Sequence, residues 1–351
     1  FSDEPIPQQA PTGASHGPPM VVASALRDPD TLSLLQIESA KTAIVVMDAA
    51  DGDVLRAAGV PEAMIFTIIE AKGLEFENVI AWRLFDGRDD LWSILSSNVS
   101  DIASGSRIEL LYYLNKVYVA ATRAMHQLVL IESVVGAQRW EALFRDLVEL
   151  ATPAEASANP ALKRSSTASE WRDWADILFG RELYGQAAKA FEMAKEPRGI
   201  SKARAFEAKA AGRFADSAGH FIQAGDSPKA LEMYFQAGMW REVVDLGPRV
   251  GKPGERQRAR AWFRLCESEG RTAEATRHLE TTINDGVETE TEWLRRYAEY
   301  QEIQQRRDLA APVWEQLGEY QRAGECYANL KRWDDAVAAY GRGGIHTTGQ
   351  T

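Results

Sequence analysis

The sequence predicts two architectures in series: an α/β domain on a mostly parallel sheet, then an all-helical array. Three observations carry this. Short continuous apolar runs alternate with helical patterns as far as Ile131. Residues 151–168, ATPAEASANPALKRSSTA, are poor in bulky apolar side chains. Beyond Ser169 the strand patterns stop and a 13-residue frame recurs.

The start of the chain is rich in Pro, Gly, Ser and Gln, so residues 1–40 are expected to form an extended lead-in. Ile44 to Met47 is a continuous apolar run, the mark of a strand covered on both faces. Asp53 to Ala58 reads as helix, stopped by Gly59 and Pro61. Met64 to Ile69, Val79 to Phe85 and Leu128 to Ile131 read as further strands. Ile108 to Ala124 carries a helical pattern, and Arg139 to Leu150 reads as a closing helix. The α/β domain is thus expected over 41–150, with 151–168 as linker.

The helical array is expected over 169–344, with 345–351 as a tail. Gly212, Gly225 and Gly238 are 13 residues apart, and the frame returns from Gly318 and Lys331. An aromatic often stands two residues into the unit (Phe214, Trp240, Tyr320, Trp333) and nine residues in (Phe221, Tyr234, Tyr327, Tyr340); Phe191 fits the latter position. Thirteen residues make one short helix and a turn. One such helix cannot bury its apolar stripe alone, so the units must stack, and the repeated aromatics are expected between helices. The pattern resembles tetratricopeptide-like α-solenoids.

Bulk properties exclude several classes. With 351 residues, 45% hydrophobic, the chain can bury one large core or two smaller ones. No stretch approaches the ~20 apolar residues that span a bilayer, and the start has no apolar signal core. Phe1 is not an initiator methionine, which suggests a piece of a longer protein. Cys266 and Cys326 form no Cys-x-x-Cys pair, which suits a reducing cytoplasm and argues against structural zinc. The net charge is −11, and residues 1–150 hold 11 basic against 21 acidic side chains. Nonspecific nucleic-acid affinity comes from neutralising phosphates, so any such contact must be local. The main basic stretch, Arg249 to Arg264, reads either as a solvated helix face or as a contact for an acidic partner or a phosphate.

The chemistry is expected in two stretches. Thr67-Ile68-Ile69-Glu70-Ala71-Lys72-Gly73-Leu74-Glu75-Phe76 stands between two strand patterns, and Tyr118-Val119-Ala120-Ala121-Thr122-Arg123-Ala124 precedes a third. They resemble motifs V and VI of superfamily 1 helicases of the UvrD/Rep type, in order, spacing and strand context. Together with the helical repeats they are most similar to the helicase-like proteins that carry tetratricopeptide and ankyrin repeats. The resemblance implies a RecA-like fold for residues 41–150. Such motors hydrolyse ATP with Mg2+ between two RecA-like domains, and the second domain supplies an arginine to transition-state charge. By resemblance Arg123 is that arginine, supported by Tyr118 and Thr122. Glu75 matches the glutamate that binds the nucleotide sugar, and Gly73 permits close backbone approach. Thr67 and Lys72 lie where the family couples nucleotide state to the nucleic-acid strand. Glu70 reads equally as an exposed turn carboxylate.

The sequence also departs from the family. No Gly-x-x-x-x-Gly-Lys-Ser/Thr occurs in the chain. Ile69 stands where the family usually has histidine, and Asn115-Lys116 where it has Arg-Leu. The ATP side is better preserved than the nucleic-acid side. The expectation is the C-terminal half of a UvrD-like ATPase, inactive without the missing phosphate loop. Its partners would be an N-terminal RecA-like domain, single-stranded DNA or RNA, and a protein on the solenoid, with no membrane. The alternative is an interaction scaffold whose helicase-like domain is degenerate or regulatory.

Overall fold

Parallel strands need long crossovers, and this chain supplies helices for them. The computed structural model describes residues 18–86, 89, 92, 104–162, 165–286 and 289–344. Two units separate by their internal packing, residues 1–203 and 204–351.

In the first unit six strands form one parallel sheet: β1 (Met20–Ala23), β2 (Thr42–Val46), β3 (Ile65–Thr67), β4 (Phe76–Trp82), β5 (Ala124–Glu132) and β6 (Glu149–Ala151), in the order β3-β2-β4-β5-β1-β6. Ile44 registers with Ile65 on one side and Ile80 on the other, and Ile80 with Val129. Val45, Ile80, Val129 and Leu130 are fully buried, as continuous apolar runs require when both faces are covered. The helices are α1 (Pro29–Leu35), α2 (Ala49–Ala57), α3 (Ile68–Ala71), α4 (Ser104–Ala121), α5 (Val134–Phe144) and α6 (Pro153–Ala158). Asp48 starts α2 by accepting from Ala50 N (2.9 Å) and Asp51 N (3.2 Å).

Several expectations are corrected. Residues 18–40 are no lead-in: β1 pairs with β5 and β6, Val21 and Val22 are buried, and α1 follows. Residues 151–168 are no simple linker either. They contain α6, Leu162 is fully buried, and Asn78 Nδ2 donates to the Ala161 carbonyl (2.9 Å). The closing helix ends at Phe144, and Leu150 lies in β6. The expected Met64–Ile69 strand stops at Thr67, because Thr67 caps a helical turn there. Residues 1–17 of the lead-in and the 345–351 tail lie outside the described residues.

The first helical pair, α7 (Ala168–Gly180) and α8 (Tyr184–Met193), belongs to the sheet's unit. Trp171, Ala175 and Leu178 of α7 are buried. Trp174 meets Phe66 edge-on with ring centres 6.0 Å apart, and Phe76 at 5.3 Å. The division between units therefore falls in α9 (Pro197–Ala210), not at the expected linker. An amphipathic face is covered by the nearest apolar surface, here the sheet edge, before it waits for another repeat.

The second unit is helical: α10 (Phe214–Ala224), α11 (Ser227–Gln236), α12 (Trp240–Leu246), α13 (Lys252–Ser268), α14 (Thr272–Asn284), α15 (Thr291–Ile303), α16 (Arg307–Gln316), α17 (Tyr320–Asn329) and α18 (Trp333–Arg342). No strand follows Ala151 among the described residues. The 13-residue frame is a frame of left-handed turns, at Gly212, Gly225, Gly238 and Gly251, and again at Gln305, Gly318, Lys331 and Gly344. Glycine adopts that conformation without strain, but Gln305 and Lys331 adopt it too. Close packing needs small partners. A Cβ on Gly324 would come within 2.5 Å of the Tyr340 ring. Phe221 and Tyr327 are buried, and Tyr234, Trp240 and Tyr340 are partly so. Trp333, expected between helices, is 63% exposed. It begins the last described helix, and no described helix follows to cover it or Val337 one turn on.

Candidate functional site

The two singled-out stretches meet at the amino edge of the sheet. β4 begins at Phe76 and β5 at Ala124, and these two residues are in register. Phe76 N donates to the Arg123 carbonyl (3.0 Å). α4 delivers Arg123 to this edge: its last turn ends at Ala121, and Thr122 N donates back to Tyr118 O (3.0 Å).

The Arg123 guanidinium is held on three sides. Nε donates to Val119 O (3.0 Å), Nη1 to Leu74 O (3.2 Å) and Nη2 to Thr122 Oγ1 (3.3 Å). Thr122 Oγ1 in turn donates to Tyr118 O (2.9 Å). One N–H on each terminal nitrogen is left for a further acceptor. The side chain is half-buried, and the Tyr118 ring beside it is exposed. Tyr118 supports Arg123 through its backbone carbonyl, by way of Thr122.

The loop from Lys72 to Glu75 approaches Arg123 through Leu74. Gly73 has φ +81°, a left-handed conformation that favours glycine. Glu75 and Lys72 are exposed and have no side-chain partner among the described residues. The Arg123 fork closes on the neighbouring Leu74 carbonyl and not on the Glu75 side chain.

Thr67 lies elsewhere. It registers with Val46, as does Trp82, so it marks the carboxyl edge of the sheet. Phe76 is six residues back along β4, roughly 20 Å at strand rise. Thr67 and Arg123 are thus not brought together. The Thr67 hydroxyl accepts from Glu70 N (3.3 Å), while Glu70 Oε2 accepts from Thr67 N (2.8 Å) and Thr67 Oγ1 (2.9 Å). This reciprocal cap starts α3 and gives Glu70 a structural role.

Two contacts were not visible in the sequence. Arg181 Nη2, at the end of α7, donates to Gly73 O (3.1 Å), and Gln186 Nε2 of α8 donates to Glu70 Oε1 (3.1 Å). Nothing in Gly180-Arg181-Glu182-Leu183 signals such a contact, which depends on where α7 docks.

The opposite edge holds Glu132, fully buried at the end of β5. Its carboxylate accepts from Trp140 Nε1 (2.8 Å) and Phe85 N (3.1 and 3.2 Å). Burial pushes its carboxyl up to about 8, against the lowering effect of these hydrogen bonds. Phe85 stacks on Trp140 with ring centres 4.0 Å apart, so Glu132 anchors a packed corner.

Among the described residues no group of three or more His, Cys, Asp or Glu could hold a metal ion, and no helix is long and apolar enough to cross a membrane. No family model matches the chain, and no curated protein matches it.

Proposed function

We propose that residues 18–151 are a RecA-like domain supplying the arginine side of an ATP site in a UvrD/Rep-like superfamily 1 ATPase. The helices that follow would form a tetratricopeptide-like interaction module. The observation that carries this is the convergence of Arg123 with the 72–75 loop at one sheet edge, through Phe76 N to Arg123 O and Arg123 Nη1 to Leu74 O.

The residues fit half of a nucleotide site. Glu75 offers a free carboxylate to a ribose, Gly73 leaves room for backbone approach, and Arg123 keeps spare N–H donors for a terminal phosphate. The cradle of backbone N–H groups that binds the other phosphates has no counterpart motif in the sequence. A phosphate-loop domain on the same or another polypeptide must supply it, together with the groups that hold Mg2+. ATP bound there supplies the phosphoryl group whose transfer drives the motor. This chain's part is to present Arg123 to the departing charge and Glu75 to the sugar. Single-stranded DNA or RNA would contact the carboxyl edge near Thr67, with Lys72 linking the two edges, and a protein partner the helical array.

A second proposal has one observation in its favour. Arg123 is already bonded within its own domain, and Arg181 is bonded to Gly73. A domain locked in this state would serve as a regulatory or degenerate element of an interaction scaffold.

Steady-state ATPase assays separate the two, using the polypeptide that includes the phosphate loop, with and without single-stranded DNA and RNA. Turnover that collapses on Arg123→Ala supports the ATPase. Absence of turnover under every condition supports the scaffold.

A further inference from the structure

Helix α13 carries the main basic stretch, and its arginines have different fates. Arg256 and Arg260 reach Glu290 (3.7 and 2.9 Å), and Arg264 reaches Glu267 (3.4 Å). On adjoining helices Arg296 reaches Glu267 (3.8 Å) and Arg306 reaches Glu280 (3.5 Å). Arg258 and Arg277 have no carboxylate within ion-pair distance among the described residues. Nε of Arg258 is buried and has no acceptor. A buried donor left unpaired costs about 1–3 kcal/mol, so the head of Arg258 is held in place at a cost.

Arg258 and Arg277 line one open cavity of about 330 Å³ with Trp262, Glu274, His278 and Thr281. The stem of Arg258 is fixed against Gly247, where a Cβ would come within 2.7 Å of the Arg258 Cβ. The Glu274 carboxylate is taken by Arg271 at 2.9 Å. Burial, and then the charge of Arg258, lower the pKa of His278 below its ordinary 6.5, so its ring is neutral at pH 7 and keeps one N–H. The Trp262 ring stands edge-on to His278, 6.1 Å between centres, and forms one wall.

We infer that this cavity between α13 and α14 binds a phosphate monoester. Two unpaired guanidinium groups call for a dianion. A monoester carries about −1.5 to −2 charge and three strong acceptor oxygens, whereas a carboxylate or a phosphodiester carries one charge and leaves one guanidinium unpaired. Forked donors suit phosphate oxygens, and the His278 N–H adds a neutral donor, while the Thr281 hydroxyl is spent on the Arg277 carbonyl (3.0 Å). The wall at Trp262 takes the group that bears the phosphate. Two sources share this chemistry: a phosphorylated side chain of a protein partner, and a free mononucleotide. The cavity lies wholly within the second unit, so the inference stands apart from the ATPase proposal.

Calorimetric titration of residues 1–351 tests it, with phosphotyrosine, adenosine monophosphate, inorganic phosphate, acetate and a short single-stranded RNA without terminal phosphates. A monoester is expected to bind at least tenfold more tightly than acetate or the RNA. Arg277→Ala, an exposed change that leaves the helix packing intact, should weaken it at least tenfold, and Arg277→Lys should restore only part. Preference for phosphotyrosine assigns the site to a partner's side chain, and preference for the mononucleotide to a free ligand. Failure of every monoester to bind, equal binding by Arg277→Ala, or RNA binding as tight as a monoester would each overturn the assignment.

Discussion

The Nη1 of Arg123 donates to the carbonyl of Leu74 at 3.2 Å, so the end of the α4 segment is tied to the loop that enters β4. The two residues are 49 positions apart in the chain and become neighbours because β4 and β5 pair in parallel from their first residues. If Arg123 also stabilises charge on a departing phosphoryl group, its two remaining terminal N–H groups can serve it while the Leu74 bond holds the fork in place. In the polypeptide that includes the phosphate loop, Arg123→Ala is expected to lower kcat by roughly 10²–10³-fold with a smaller effect on KM. Arg123→Lys should recover little, since an ammonium cannot reproduce the fork. Wild-type kcat in Arg123→Ala would refute the role.

Glu75 is exposed and free, so its removal disturbs no folded contact. A sugar contact is similar in ground and transition states. Glu75→Ala should therefore weaken ATP binding with kcat nearly unchanged. Equilibrium binding of a labelled nucleotide measures this, and an unchanged affinity would remove Glu75 from the site.

Thr67 caps α3 with Glu70. Thr67→Ala is expected to cost about 1 kcal/mol of stability, and Thr67→Ser much less. Urea unfolding of the chain measures the difference. A Thr67→Ala protein as stable as wild type would show that the cap contributes nothing.

Arg181 holds the Gly73 carbonyl from the helical segment. Arg181→Ala should speed amide hydrogen exchange across residues 72–76 and leave the centre of β4 protected. Gly73→Ala should destabilise by about 1 kcal/mol or more, because its φ of +81° disfavours a side chain and Arg181 Nη1 lies 3.4 Å from the new Cβ. Unchanged exchange in Arg181→Ala would mean the loop is held by its own sheet alone.

Glu132 keeps its proton in the fold up to about pH 8, against 4.5 as its ordinary value. Between those values the folded state binds a proton that the unfolded chain has lost. Stability from this group is therefore full below pH 4.5 and declines as pH rises through the window. Glu132→Gln removes the decline. The unfolding free energy of the variant minus that of wild type should rise by 1 kcal/mol or more from pH 5 to pH 8, since each pKa unit is worth about 1.4 kcal/mol. A difference independent of pH would show an ionised carboxylate at Glu132.

Some of this was legible along the chain. Ile44 to Met47 reads as a strand because a continuous apolar run can be buried on both faces. Gly212, Gly225 and Gly238 mark turns because glycine tolerates the left-handed conformation. The spacing of the 67–76 and 118–124 stretches placed both beside strands. Local chemistry sets each of these, so local sequence reports it.

What the sequence did not determine comes from pairing and docking. Met20 to Ala23 is an apolar run as short as Ile44 to Met47, but it follows a Pro- and Gly-rich start, and its place as a strand is set by pairing with β5 and β6. Gln305 and Lys331 take left-handed turns without being glycine, so residue type alone does not mark them. Arg181 reaches Gly73 across 108 positions because the apolar face of α7 settles against Phe66 and Phe76. Arg123 turns onto Leu74 because that carbonyl is the nearest acceptor once β4 and β5 pair. Residue types and spacing determined which groups are available. The tertiary structure alone decided which of them meet, because contact between distant residues is settled by which buried surfaces exclude water together.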